Sequence, residues 1–304
     1  MTSRRVLVTG ASGFIGRHSL NSLLERDFEV HAVYAHDPIE SDARVIWHKA
    51  DLLDEASREL CDKVRATHLL HFAWIATPGI YWTSPENLEW KESTLALLEA
   101  FKESGGSRAV LAGTCAEYDW SVPQDFFSET TSPLKPTTLY GTCKHETHLA
   151  AEQFAQSQSM SLAWGRIFFL YGPHEPQTRL VPYVITSLLA GRVAECSSGE
   201  QIRDFLHVGD VADAFVALLD SEVIGAVNIA SGAPVAVEEV IYVIADMLGN
   251  RELVHLGAKP TPENDPPRLV ADVMRLKDEI VWSPRYGLKD GLRLTTDWWK
   301  ARGA

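Results

Sequence analysis

The sequence predicts an α/β fold: a doubly wound parallel sheet with a smaller C-terminal lobe. Two observations predict it. Short β-branched runs alternate with amphipathic stretches through the first half of the chain, the pattern of a parallel sheet wrapped by helices. The first of those runs then ends in Thr9-Gly10-Ala11-Ser12-Gly13-Phe14-Ile15-Gly16, a glycine turn that opens directly into a helix. The length, 304 residues, suits one such sheet domain plus a lobe.

Taken in order, strands are expected at residues 5–9, 29–34, 44–48, 68–72, 109–113 and 162–168, each a short run rich in Val, Ile, Leu and Ala. Helices are expected between them at 14–25, 54–64, 88–104 and 139–157. The second half is less regular, with helices at 182–191, 210–221 and 237–248 and a strand at 227–230. Pro260, Pro262, Pro266 and Pro267 interrupt it, as an ordered loop near a site or as a surface linker. The domain expectation is a dinucleotide-binding unit over 1–170, with later segments at about 203–232 returning to it. The remainder, 171–304, is mainly a substrate lobe.

Composition narrows the function classes. A net charge of −13 repels phosphate backbones, so no nucleic-acid partner is expected. The apolar stretch from Leu162 to Leu170 is short and broken by Arg166, so no membrane span is expected, and the N-terminus lacks an apolar signal core. A cytoplasmic location follows as an expectation. Cys61, Cys115, Cys143 and Cys196 have no paired short spacing, so they read as free thiols and no metal is expected.

The glycine turn carries the cofactor expectation. Glycines let the backbone approach a pyrophosphate closely, while the helix N-terminus meets its charge, so Gly10, Ser12, Gly13, Phe14, Ile15 and Gly16 are candidate contacts in a Rossmann-type unit. A strict NAD enzyme should end its second strand in a carboxylate, yet Tyr34 stands there and Asp37 comes three residues later. Without that carboxylate a 2′-phosphate is tolerated beside His36 or Arg17, so NAD or NADP is expected, with NADP favoured. Asp51 and Leu52 are candidates for the adenine. Phe72, Ala73 and Trp74 are candidates for the cofactor ribose. Ordinary strand-end packing is the alternative for both sets.

Tyr140 and Lys144 lie one helical turn apart and share a face. A tyrosine can pass a proton to or from a sugar oxygen when a neighbouring ammonium lowers its pKa from about 10. Thr114, at the end of a strand, completes the set by polarising a carbonyl oxygen.

These segments resemble the extended short-chain dehydrogenase/reductases of the NAD-dependent epimerase/dehydratase type. The resemblance runs through Gly10 to Gly16, Asp51-Leu52, His71-Phe72-Ala73, Thr114 four residues before Tyr118, and Tyr140 with Lys144. It continues through Arg166-Ile167-Phe168, Tyr171-Gly172-Pro173, Arg203-Asp204-Phe205 and Val208-Gly209-Asp210. It implies a bound NAD or NADP, a nucleotide-diphosphate sugar as substrate, and a homodimer through the helices at 88–104 and 139–157. It also implies that Arg203 meets the substrate diphosphate, for which a bidentate guanidinium is suited, with Arg268 as a second candidate and a structural ion pair as the alternative for each.

Departures narrow the reaction. Where sugar dehydratases of this family carry acids after the threonine, this chain has Cys115-Ala116 with Glu117 one place late, which disfavours dehydration. Phe169 replaces a usual Asn and Trp90 another. His174 and Cys115 resemble the proton-exchanging pair of the keto-sugar epimerase-reductases. As alternatives, His174 caps a loop and Cys115 is a small buried filler. Tyr81, in the aromatic insert 74–82, and Glu117 are candidates for the sugar. The insert either closes over the sugar or packs by its own rings as a surface flap. Trp298 and Trp299 read as structural.

The leading expectation is a reductase or dehydrogenase of a keto group, at C4, on a nucleotide-linked deoxysugar. A C4 epimerase with retained NAD is the alternative, and a non-catalytic dinucleotide-sensing module a minor one.

Overall fold

Val6, Leu7 and Val8 are wholly buried because β1 (Arg5–Thr9) runs through the middle of a seven-stranded sheet. The computed structural model describes residues 4–54, 57–261 and 265–303. Beside β1 lie β2 (Glu29–Tyr34) and β3 (Ile46–Lys49) on one side. On the other lie β4 (His68–His71), β5 (Arg108–Thr114), β6 (Ser161–Ile167) and, at the far edge, Gly225–Ile229. Every pairing in this sheet is parallel. The order reverses between β1 and β4, and such a reversal opens a crevice beyond the carboxyl ends of the strands.

Parallel strands need covered faces, and the helices supply them. One face carries α1 (Gly16–Glu25) and the helix Val208–Leu219, whose Leu20, Leu23, Val211 and Phe215 share a core with Val6 and Val110. The other carries α2 (Ser57–Val64), α3 (Glu86–Glu103) and α4 (Leu139–Ser157), where Leu60, Leu97 and Ala151 pack on Leu7, Leu69 and Trp164. Burying each such aliphatic side chain stabilises by about 1.5–3 kcal/mol.

Several ends differ from expectation for local reasons. The third strand starts at Ile46 because Asp42 captures Arg44 and Val45 in a turn, through Asp42 Oδ1 to Arg44 N at 2.9 Å and the Asp42 carbonyl to Val45 N at 3.0 Å. The first helix starts at Gly16, since Gly13 N–H turns back to the Gly10 carbonyl at 3.0 Å. The second helix is described from Ser57, and residues 55–56 of the expected 54–64 lie outside the described residues.

The second half holds elements that strand patterning did not reveal. After β7 (Phe169–Tyr171), α5 (Leu180–Leu189) and β8 (Ala194–Glu195) comes β9 (Ile202–His207), the centre of a second sheet. There β9 pairs in parallel with β7 and, later, with Arg268–Leu269, and antiparallel with Pro234–Ala236. Between them the chain returns to the main sheet as α6 (Val208–Leu219) and β10 (Gly225–Ile229), then forms β11 (Pro234–Ala236), α7 (Val237–Leu248), β12 (Val254–His255), β13 (Arg268–Leu269) and α8 (Leu288–Lys300). Side chains of α5, α7 and α8, with Tyr171 and Phe205, make a third core. No helix among the described residues is long and apolar enough to cross a membrane.

Candidate active site

The glycine turn is fixed by backbone crowding. Gly10 has φ +65°, and a Cβ there would stand 2.7 Å from Ala73 N; one on Gly16 would stand 2.2 Å from the Gly10 carbonyl oxygen. Only glycine fits both places. Thr9 Oγ1 bonds His71 Nδ1 at 2.7 Å, and His71 Nε2 bonds Thr94 at 3.0 Å, which locks the ends of β1 and β4 together. The first turn of α1 holds no acid and its N-cap residue Ile15 gives no side-chain cap, so no side chain occupies the positive end of the helix, although Arg17 N–H and His18 N–H turn back to the Gly13 and Ile15 carbonyls at 3.3 and 3.0 Å. The close backbone cradle at the helix N-terminus fits the pyrophosphate of a dinucleotide.

Other cofactor candidates fare unequally. Phe72 N–H donates to the Thr9 carbonyl at 3.1 Å, so Phe72 and Ala73 sit against the glycine turn. Trp74 is turned to α3: its indole N–H donates to Asn87 at 2.8 Å and the ring stacks on Trp90. Tyr34 lies edge-on to Trp47, His36 is exposed, and Asp51 accepts from Leu53 N–H at 3.1 Å beside buried Leu52. Arg17 corrects one expectation. Its guanidinium is held by the Ser12 carbonyl at 2.8 Å, the Gly13 carbonyl at 3.2 Å and His174, so it is not free to serve a 2′-phosphate at the end of β2.

A cavity of about 600 Å³ opens in the crevice. Ser12, Phe14 and Arg17 form one part of its wall; Gly113, Thr114 and Tyr140 another; Ile167, Phe168 and Leu170 a third. The insert supplies Ile75 to Pro78 and Tyr81, and the turn after β7 supplies His174, Glu175, Pro176 and Arg179. Thr138 caps α4 through Gly141 N–H at 3.0 Å, which sets Tyr140 in the first helical turn at the end of β5. There the Tyr140 hydroxyl comes beside the Thr114 side chain in the cavity wall, so the expected pair is brought together.

Lys144 behaves differently from expectation. Its ammonium donates to the Ala112 carbonyl at 2.8 Å and lies 3.7 Å from the Trp74 ring centroid and 6.0 Å from that of Trp164. It is 3% exposed, and burial pushes its pKa down to about 7. Tyr140 is not acidified by it. Burial pushes the tyrosine above its ordinary range, against the pull of the Thr114 side chain.

The aromatic insert packs on Tyr140. Tyr81 and Trp82 meet the Tyr140 ring edge-on at 4.9 and 5.7 Å, and Tyr140 N–H donates to the Trp82 carbonyl at 3.2 Å. The insert lines the cavity with Ile75 to Pro78 and Tyr81, and it also packs by its own rings, Tyr81 against Trp82 at 4.6 Å.

Several sequence candidates are corrected. Glu117 is 0% exposed and turned inward, accepting from Thr114 N–H at 2.9 Å, the Trp164 indole at 2.8 Å and Arg166 at 3.0 Å, so it has no oxygen left for a sugar. His145 and His148 approach it, but Arg166 beside Glu117 already supplies the positive charge that a cation would bring. Cys115 is buried outside the cavity lining and burial pushes its thiol up to about 12, which removes it as a proton carrier. His174 does line the cavity, but it packs edge-on against Trp298 at 4.7 Å, and burial and Arg17 push it down to about 4, leaving it a neutral, weak donor at neutral pH. Arg203 is buried outside that wall, paired with Asp265 at 2.5 Å above the Phe169 ring. Arg268 lies in a separate surface hollow with Trp120, Pro266 and Pro267, donating to the Asp125 carbonyl at 2.8 Å. Of the proline stretch Pro266 is buried while Pro260 and Pro267 are exposed, none of them lines the cavity, and Pro262 lies outside the described residues.

Glu175 and Arg179 were not legible as site residues. A lone acid after Tyr-Gly-Pro-His carries no spacing signal, and only the turn of the chain after β7 brings it to the cavity.

Comparison with known proteins agrees with this geometry. The chain is 28% identical to UDP-glucose 4-epimerase of Rhizobium leguminosarum bv. trifolii, over 98% of each chain. The crystal structure of Thermus thermophilus UDP-glucose 4-epimerase in complex with NAD superposes with a TM-score of 0.87 at 28% identity, covering 97% of this chain and 99% of that one. The UDP-glucose 4-epimerase of Thermotoga maritima, solved with UDP-glucose, shares the fold with a TM-score of 0.89 at 22% identity, over 99% and 100% of the two chains. Residues 6–230 match the family model described as the NAD dependent epimerase/dehydratase family, and this chain is an enzyme that belongs to that family.

Proposed function

We propose that this enzyme is a nucleotide-sugar 4-epimerase that retains NAD, in place of the net reductase that the sequence alone favoured. The carrying observation is the packing around the Tyr140–Thr114 pair. Thr114 is buried, Tyr140 is half-buried with Tyr81 and Trp82 against its ring and meets the cavity, and Lys144 is buried against a backbone carbonyl and two indoles. A net reductase must draw a proton from solvent in every turnover. An epimerase takes the C4 hydroxyl proton and gives it back, so a tyrosine that meets only the cavity suits it.

In this reading Tyr140, in the phenolate form that the positive charge of a bound oxidised nicotinamide would favour, accepts the O4 proton of the sugar; Thr114 orients the same oxygen, and Tyr140 then returns the proton after the sugar has presented its other face. When bound, NAD supplies the hydride acceptor and donor that the two half-reactions share. The likeness to 4-epimerases over nearly the full chain supports the reaction, and the complex of the Thermus enzyme with NAD supports NAD over NADP. A dimer through the outward faces of α3 and α4, where Leu88 and Leu149 are exposed, belongs to the same proposal and is read by size-exclusion chromatography with light scattering.

The test is incubation of the purified protein with UDP-galactose or UDP-glucose without added cofactor. Interconversion with no net change in nicotinamide absorbance is expected. Turnover only with stoichiometric oxidation of added NADH or NADPH on a keto sugar would restore the reductase.

A further inference from the structure

Glu175 is 5% exposed yet forms part of the cavity wall. One carboxyl oxygen, Oε2, is buried with no hydrogen-bond partner, and the other lies 3.7 Å from Arg179 Nε, beyond hydrogen-bond reach. The backbone around it is set: Glu175 N–H donates to the Gly172 carbonyl at 3.2 Å, closing a turn in which His174 is held at φ +72°. A non-glycine residue in that conformation is strained, and a buried carboxyl with an unpaired oxygen costs stability. The visible return is one contact to Arg179 at 3.7 Å, which leaves Oε2 unpaired.

The neighbours point to a ligand that brings hydroxyl groups. Tyr81 and Arg179 lie beside each other on the cavity wall, which brings the insert up to the turn bearing Glu175. Thr114 and Tyr140, which handle the reacting oxygen, share the same cavity. Burial pushes Glu175 up to about 8, so at neutral pH it keeps its proton and offers both a donor and an acceptor without repelling a diphosphate.

We propose that Glu175 is a substrate-binding residue that pairs with a hydroxyl of the sugar and so sets which sugars the cavity accepts, an inference resting on the nucleotide-sugar reading above. A site built to pair a hydroxyl discriminates strongly against the analogue that lacks it, because the buried partner is then left unpaired.

The experiment is a binding cycle by titration calorimetry on the NAD-loaded protein. Wild type, Glu175→Gln and Glu175→Ala are each titrated with UDP-glucose, UDP-galactose and the 2-, 3- and 6-deoxy analogues of UDP-glucose, with thermal unfolding as the folding control. On wild type one deoxy analogue is expected to bind about 10-fold or more weakly than UDP-glucose. That difference should vanish in Glu175→Ala and persist in Glu175→Gln. If every deoxy analogue loses the same factor on wild type and on Glu175→Ala, Glu175 does not touch the sugar and this inference alone fails. If folded wild type binds neither UDP-glucose nor UDP-galactose, the nucleotide-sugar reading fails and takes the inference with it.

Discussion

Tyr140 and Glu175 illustrate how single residues acquire chemistry from burial. The tyrosine hydroxyl sits on Thr114 under the insert, with its pKa raised rather than lowered. Replacing Tyr140 by Phe keeps the ring contacts with Tyr81 and Trp82 and removes only the proton carrier. A fall in kcat of about 10²–10⁴-fold at little change in melting temperature is expected, measured by coupled assay and calorimetry. Glu175 links burial to pH. Its ordinary value is 4.5 and its folded value about 8, so between those limits the folded state holds a proton that the unfolded state has lost. Stability from this group is therefore full below about pH 4.5 and declines as pH rises toward 8. Glu175→Gln should remove that decline, so denaturation of the variant and wild type should diverge most above pH 8. Equal slopes for the two proteins would contradict the buried acid.

At the scale of elements, the turn from β1 to α1 depends on what passes beside it. The positive φ of Gly10 is strained for any side chain, and a Cβ would press on the Ala73 amide, a backbone atom that cannot swing away. Gly10→Ala is expected to cost about 1–3 kcal/mol in denaturant unfolding and to lower the amount of NAD that co-purifies with the protein. The insert and α3 form a second such partnership. Asn87, buried in α3, accepts from the Trp74 indole and donates to the Tyr81 carbonyl at 2.7 Å, so the insert is anchored at both ends by one side chain. Trp74 in turn faces Lys144, which explains how an insert of the chain reaches α4.

Across the whole molecule, Asp204 joins the second sheet to the main one. It lies on β9, is fully buried, and accepts from Ser231 N–H at 2.8 Å, Gly232 N–H at 2.9 Å and Ala271 N–H at 3.2 Å. Those donors follow β10 of the main sheet and β13 of the second one, so a single carboxylate fixes three segments that are far apart in sequence. Asp204→Ala leaves these amides without their partner and is expected to cost about 3 kcal/mol or more in global stability, read by urea denaturation. A variant with wild-type stability would show that solvent or rearranged backbone satisfies the same donors.

The sequence by itself determined the main sheet, its glycine turn and the Thr114–Tyr140 pair. Each is written locally: strand and helix periods are features of about five to fifteen neighbouring residues, and Tyr140 and Thr114 stand at element ends whose direction the βα alternation sets. Only the tertiary structure decided the second sheet, because β9 and its short partners are two to six residues long and pair with distant segments, leaving no period to read. It likewise decided that Glu117 faces Arg166 rather than a sugar, that Arg203 takes Asp265, and that Glu175 reaches the cavity. A charged side chain can turn toward solvent, a ligand or a buried partner with the same local sequence. The choice is made by which distant group comes close enough to compensate its lost hydration.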